Sequence, residues 1–333
     1  MTEMGETNAP LLQIEQLEVS AGASGRKVRI LQGVDLALRE RETLGVVGES
    51  GSGKSTLAAA LTRLLGSGLS ITGGRMTFAG EDILAMSAKR LQHLRGSEIA
   101  TILQDPLHSL TPWIKVGLQV AEPAVFHEGL SWRDAKARAV DLMRAAWIPE
   151  PEQRMKAYPH EMSGGMRQRA AGAIALCSAP RLLIADEPTT ALDPTIQLQY
   201  LDLLRNLQRQ HGFALILITH DLGVVARNCQ RVAVMYGGRI IESGPTKEVM
   251  DNPRHPYTRG LLASMPRLAT AGRQQKRLTI IPGQPPVPGA AVQGCAFQPR
   301  CAERLERCAT QRPPVFTPAR GRESACWLEE NTQ

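Results

Sequence analysis

Aromatic residues make up only 4 % of this 333-residue chain. A core must therefore be built from Leu, Ile, Val and Ala, a composition that suits buried parallel strands flanked by helices. No apolar run approaches a membrane span. The longest, such as Leu182–Ala185 and Ala214–Ile218, are strand-sized. Met1–Pro10 is polar and acidic and lacks the basic segment and apolar run of a secretory signal. The expectation is a cytoplasmic protein whose membrane role, if any, comes from a partner. No repeat recurs at solenoid or propeller periods.

What is present fits one large domain with an appendage. The formal net charge of +7 suits an ordinary basic surface, or proximity to anionic lipid headgroups or nucleic acid. Residues 11–20 and 28–38 alternate apolar and polar like half-buried antiparallel strands. Thr43–Val47 then leads into a glycine-rich loop and a helical pattern over Lys54–Leu65. Further strands are expected at Arg75–Phe78, Ile99–Leu103, Leu182–Ala185, Ala214–Ile218, Val232–Met235 and Ile240–Ile241. Residues 115–125 and 131–147 read as helices, the second capped by Ser131. Beyond Asp251 come a helix over Tyr257–Ser264, a polar stretch to Arg277 and a stiff linker, Pro282–Pro288. The last forty residues, holding four of the six cysteines, are set apart as a small unit.

The loop Gly48-Glu49-Ser50-Gly51-Ser52-Gly53-Lys54-Ser55, followed by Thr56, fits the phosphate-binding pattern G-x-x-x-x-G-K-[ST]. Its glycines let backbone N–H groups face phosphates at a helix N-terminus. Lys54 reaches the β- and γ-phosphates in such a loop, and Ser55 ligates Mg²⁺. Leu182–Ala185 ends in Asp186 and Glu187, two carboxylates delivered at the C-terminal edge of a buried strand, where α/β sheets bind ligands. Asp186 suits the metal. Glu187 suits polarisation of an attacking water. His220, closing the strand 214–218, fits a γ-phosphate contact, and Gln104, closing 99–103, fits a place near Mg²⁺ and the water.

Met162-Ser163-Gly164-Gly165-Met166-Arg167-Gln168-Arg169 resembles the signature of ABC transporter ATPases, in a variant frequent among peptide and nickel importers. Ser163, Gly164 and Gly165 expose backbone donors at a helix start. A second phosphate device in one chain is redundant unless it serves another subunit's nucleotide, which is how this family pairs head to tail. Gln104 resembles the family's Q-loop, Thr190-Ala191-Leu192-Asp193 its D-loop and His220 its switch histidine.

The resemblance implies an α/β fold: a P-loop nucleotide-binding domain over 11–253 with an antiparallel β subdomain and a helical subdomain near 105–165. Residues 254–333 are similar to the C-terminal extension of oligopeptide and dipeptide importers, on His255-Pro256-Tyr257-Thr258-Arg259 and the tail around Gly294-Cys295-Ala296-Phe297 and Arg300-Cys301. Members of this branch serve dipeptides, oligopeptides, nickel, opines or oligosaccharides. The resemblance further implies ATP and Mg²⁺, with Ser55, Gln104 and Asp186 at the metal and Asp193 near the nucleotide. It also implies a second ATPase subunit forming a heterodimer, two permease subunits, a solute-binding protein and a peripheral place on the cytoplasmic face of the cell membrane. Nucleic acid is not among these partners. A soluble ABC protein acting on nucleic acid or the ribosome is the alternative; such proteins usually carry two nucleotide domains or a long coiled-coil insertion. An efflux ATPase is disfavoured by the importer-like extension.

The family commonly stacks adenine on an aromatic residue early in the chain, and none stands here before Phe78. Val28, Arg26 or Arg29 is expected to substitute. Cys295, Cys301, Cys308 and Cys326 lack paired Cys-x-x-Cys spacing. An iron–sulfur cluster, zinc and unmetallated thiols all stay open, and similar tails in the branch are associated with a 4Fe–4S centre. Cys177 and Cys229 read as packing residues.

Overall fold

The computed structural model describes residues 9–22, 27–104, 109–190, 193–265, 280–290 and 292–332. Arg26, Ala191, Leu192, the start of the expected helical subdomain and most of the polar stretch before Arg277 lie outside them. In chain order the elements are β1 (Leu12–Ala21), β2 (Val28–Leu38), β3 (Thr43–Val47), α1 (Lys54–Leu61), β4 (Leu69–Phe78), β5 (Glu81–Asp82), α2 (Ala88–His93) and β6 (Ile99–Ile102). There follow α3 (Val116–Glu128), α4 (Trp132–Ala145), α5 (Gly164–Leu176), β7 (Leu182–Asp186), α6 (Pro194–His211), β8 (Ala214–Thr219) and α7 (Leu222–Asn228). The last are β9 (Arg231–Tyr236), β10 (Arg239–Pro245), α8 (Thr246–Asp251), α9 (Pro256–Ala263), β11 (Phe316–Ala319) and β12 (Arg322–Ser324).

The chain divides into two compact units, each built from several separated segments. In the first, the start of β1 and the ends of β2 and β4 lie with β5 in the order β2-β1-β4-β5. Thr77 stands opposite Asp82 in the antiparallel β4–β5 pair. β6 runs parallel to β7, with Ile99 opposite Leu182. Every residue of β7 is buried, as expected of a parallel strand covered on both faces. α3, α4 and α5 pack on one another. Ala121, Ala124, Ala135 and Ala139 are fully buried there, small side chains that let α3 and α4 approach closely. Ser131 caps α4 as expected, its Oγ accepting from Asp134 N at 3.2 Å, a contribution of about 1 kcal/mol.

The second unit carries the strands β11-β12-β10-β9-β3-β8. β3 pairs parallel with β9, Val46 opposite Ala233, and its five residues are all buried. A Cβ on Gly45 would stand 2.6 Å from Val225 Cγ1 and 3.1 Å from Cys229 Sγ, so α7 lies tight on β3 and Cys229 serves packing. The cysteine-rich tail is no free-standing piece. β12 pairs antiparallel with β10, Glu242 opposite Ser324, which extends the sheet by β12 and β11. Arg322 Nη2 donates to Glu242 Oε1 at 2.9 Å with both side chains buried. Glu242 also accepts from Arg254 N at 2.8 Å and His255 N at 2.9 Å. Those donors satisfy a carboxylate that burial would otherwise penalise by several kcal/mol, on the order of 3–5 if one partner were lost.

Candidate active site

In the second unit the loop Gly48–Gly53 joins β3 to α1. Its glycines are required individually. A Cβ on Gly48 would meet Met235 O at 2.2 Å, and Gly53, at φ 105°, would drive one into Leu31 Cδ2 at 2.8 Å. The loop is pinned by Gly238 N donating to Ser52 O at 3.0 Å and Ser52 N donating to Glu49 O at 3.2 Å. Lys54 opens α1 and is buried; its Nζ donates to Gly48 O at 2.8 Å and Glu49 O at 3.0 Å. The ammonium is thus stretched across the mouth of the loop. No side chain caps α1, which leaves its first amides to an anion. Ser50, Gly51 and Ser55 are exposed, and Thr56 is half-buried. His220, exposed, directly follows β8, and Asp221 caps α7 through Gly223 N at 2.7 Å.

In the first unit Asp186 is the buried last residue of β7 and Glu187 follows it. Glu187 has φ 45°, a left-handed backbone that costs a non-glycine residue on the order of 1–2 kcal/mol. Such strain persists where surrounding contacts fix it and clusters at functional sites. Here the contacts are on the carboxylate: Gln104 Nε2 donates to Glu187 Oε2 at 3.1 Å, and Thr190 Oγ1 donates to the same oxygen at 2.9 Å. The sequence places Gln104 near a metal and a water; the structure places its amide on the carboxylate meant to orient that water.

Ser163 caps α5, its Oγ accepting from Met166 N at 3.3 Å. Ser163 and Gly164 are exposed at the helix start, and a Cβ on Gly164 would meet nothing within 4 Å. Asp193 caps α6, with Oδ1 accepting from Thr195 N at 3.1 Å and Ile196 N at 3.0 Å.

Of the residues expected to replace a stacking aromatic, Val28 and Arg29 lie among the described residues. Val28 lies against Gly289, where a Cβ would fall 1.6 Å from Val28 Cγ1, and Arg29 pairs with Glu18 at 3.4 Å.

Cys295, Cys301, Cys308 and Cys326 line one cavity together with Phe297, Trp327 and Leu328. Burial, and then the other three thiols, push the Cys326 thiol up to about 12. Burial also raises Cys295 and Cys301. Among the described residues no three His, Cys, Asp or Glu side chains close up into a group able to hold a metal ion. Cys177 is buried, and burial raises its thiol as well.

With this geometry in place, the likeness to known proteins decides the family. Residues 31–190 match the ABC transporter family and 241–308 the oligopeptide/dipeptide transporter C-terminal region. A putative peptide import ATP-binding protein of Brucella melitensis is 44 % identical over 318 residues, covering 96 % of this chain and 95 % of that one. The oligopeptide transport ATP-binding protein OppD of Bacillus subtilis is 47 % identical over 307 residues, 92 % of this chain and 85 % of OppD. The chain belongs to the ABC transporter family. Among solved structures, CbiO1 of Clostridium perfringens, part of the ABC transporter complex CbiONQ, superposes with a TM-score of 0.64 at 30 % identity, covering 73 % of this chain and 92 % of CbiO1. The protein is therefore an ABC ATPase, the ATP-binding, ATP-hydrolysing subunit of a transporter. No helix among the described residues is long and apolar enough to cross a membrane.

Two contacts on this ABC ATPase's phosphate loop escape a sequence reading. Tyr257 OH accepts from Glu49 N at 2.9 Å, and Arg300 pairs with the Glu49 carboxylate at 2.6 Å. Both partners lie more than two hundred positions along the chain, and no local pattern signals them.

Proposed function

We propose that this ABC ATPase drives import of a peptide-like solute, working as one half of a head-to-tail heterodimer of ATPases beneath two permease subunits, at the cytoplasmic face of the cell membrane. A separate solute-binding protein delivers the cargo. The kinship to peptide import ATP-binding proteins and to OppD supports the cargo class, as does the match of residues 241–308 to the oligopeptide/dipeptide C-terminal region.

The residue roles follow from chemistry and placement. Gly48, Ser50, Gly51 and Gly53 offer backbone donors to the phosphates, with Lys54 and Thr56 beside them and Ser55 ligating Mg²⁺. Asp186 serves the metal, Glu187 orients the attacking water, and His220 meets the γ-phosphate. Ser163, Gly164 and Gly165 act on the partner subunit's nucleotide. The observation carrying the hydrolytic part is the strained Glu187, its carboxylate held by Gln104 and Thr190, because a general base must be aimed to work.

Cys295, Cys301, Cys308 and Cys326 would hold an iron–sulfur cluster. Four thiols surround one cavity without converging on a point. The shared cavity supports one common group for the four thiols, and thiolates are the ligands that iron–sulfur clusters take. Bound there, the group cross-links the tail; the chemistry of ATP hydrolysis lies elsewhere.

The cargo is tested in vesicles holding the assembled transporter. ATP-dependent uptake of a small peptide, abolished by Lys54→Ala in this chain, is expected. Uptake of another solute class but not of peptides would overturn the cargo.

A further inference from the structure

Among the described residues the hydrogen bonds from the C-terminal extension to the phosphate loop fall on Glu49. Arg300, whose side chain is only 5 % exposed, grips the carboxylate with two parallel bonds, Nη1 to Oε2 at 2.6 Å and Nη2 to Oε1 at 3.0 Å. Such forked pairs fix geometry as well as charge. Arg300 is itself held from behind, its Nε donating to Pro282 O at 2.9 Å and its Nη1 reaching Tyr236 OH at 3.3 Å. Its side chain lies beside the packed rings of Tyr236 and Phe297, which are 5.4 Å apart.

The main chain of Glu49 is held too. Its N–H goes to Tyr257 OH, and its carbonyl accepts from Lys54 Nζ. The order Arg300, Glu49, Lys54 is therefore a continuous line of contacts from the extension to the residue that meets phosphate. Pro288 closes on the loop from another side, its Cγ 3.4 Å from where a Cβ on Gly51 would stand.

A carboxylate in a phosphate loop is an electrostatic liability, since unneutralised it repels the polyanionic nucleotide. We propose that Arg300 is a positioning residue for nucleotide binding: it neutralises and fixes Glu49, so that affinity for ATP depends on the order of the C-terminal extension. Arg300 immediately precedes Cys301, which lines the thiol cavity, so whatever orders that cavity also orders the grip on Glu49. The inference rests on the phosphate loop being the ATP site.

The test is equilibrium binding of MgATP to the full-length protein, with thermal unfolding measured in parallel, for wild type, Arg300→Gln, Glu49→Gln, the double variant and Arg144→Gln. Arg144 pairs with Asp141 at 2.7 Å on the exposed side of α4, outside the extension. Arg300→Gln leaves Glu49 uncompensated and is expected to weaken ATP binding about tenfold, a coupling usual for residues in one network. Glu49→Gln added to it removes the stranded charge and should restore affinity to within about threefold of wild type, which a purely structural loss would not do. Arg144→Gln should bind as wild type does. Unchanged affinity in Arg300→Gln, or a double variant as weak as the single or unable to fold, overturns the proposal. A wild-type protein that binds no ATP overturns the reading of the site itself.

Discussion

Gln104 Nε2 stands 3.1 Å from Glu187 Oε2, so a residue just beyond β6 holds the carboxylate that follows β7. The bond engages Oε2, and Thr190 donates to the same atom. Removing one hydrogen bond to a charged group costs about 1.5–3 kcal/mol. Gln104→Ala should therefore lower steady-state ATP turnover by about tenfold or more. A turnover unchanged in the assembled transporter would show that Thr190 alone suffices.

Exposure of Ser163 and Gly164 at the start of α5 bears on assembly. If the signature serves a partner's nucleotide, the isolated chain should hydrolyse ATP poorly, with a rate that rises with the partner ATPase and the permease. A dilution series with the purified chain checks this. Full activity independent of concentration would contradict the head-to-tail arrangement.

His255 carries a pH signature. It is fully buried, and burial, followed by the nearby Arg259 charge, lowers its pKa to about 3 from 6.5. Its Nδ1 accepts from Tyr257 N at 3.0 Å, and its backbone N–H donates to the Glu242 carboxylate. As pH falls below 6.5 the unfolded chain takes up a proton on this ring and the folded chain does not. The contribution to stability is thus complete above pH 6.5 and lost progressively toward pH 3. At pH 5 the loss is about 2 kcal/mol. Denaturant titrations at pH 7 and pH 5 should show a smaller difference in His255→Asn, which keeps a capping acceptor. An equal difference in both proteins would remove His255 from the acid sensitivity.

The tail thiols make a visible prediction. Anaerobically purified protein should be brown, with broad absorbance near ~400 nm, as thiolate-bound iron–sulfur centres give. Cys301→Ser should bleach it and leave the tail open to protease. Stoichiometric zinc, or no metal, in anaerobic preparations would refute the cluster and leave the ATPase untouched.

Much of the phosphate loop and of the strand-end carboxylates is legible in the sequence because their signals are local. The loop Gly48–Ser55 follows a buried strand and opens a helix, and apolar Leu182–Ala185 delivers Asp186 and Glu187 at a strand end. β2 falls on Val28–Leu38 as the alternation predicts. Asp193-Pro194, a cap followed by proline at the first helical position, announces α6, yet that helix is absent from the expectations above. The remainder was hidden because it is non-local. Nothing near Glu323 or Ser324 says that they pair with Ser243 and Glu242. Nothing near Arg300 points to a glutamate 251 positions earlier, and the strain at Glu187 is a property of the folded backbone alone.

Glu187 carries the central claim, that this chain hydrolyses ATP with a carboxylate-oriented water. The direct measurement is MgATP binding and turnover by Glu187→Gln within the assembled transporter. General-base assistance contributes about 10²–10⁴-fold. Binding should persist, turnover should fall by at least about two orders of magnitude, and closed dimers should accumulate with ATP. Near-normal hydrolysis by that variant would contradict the account.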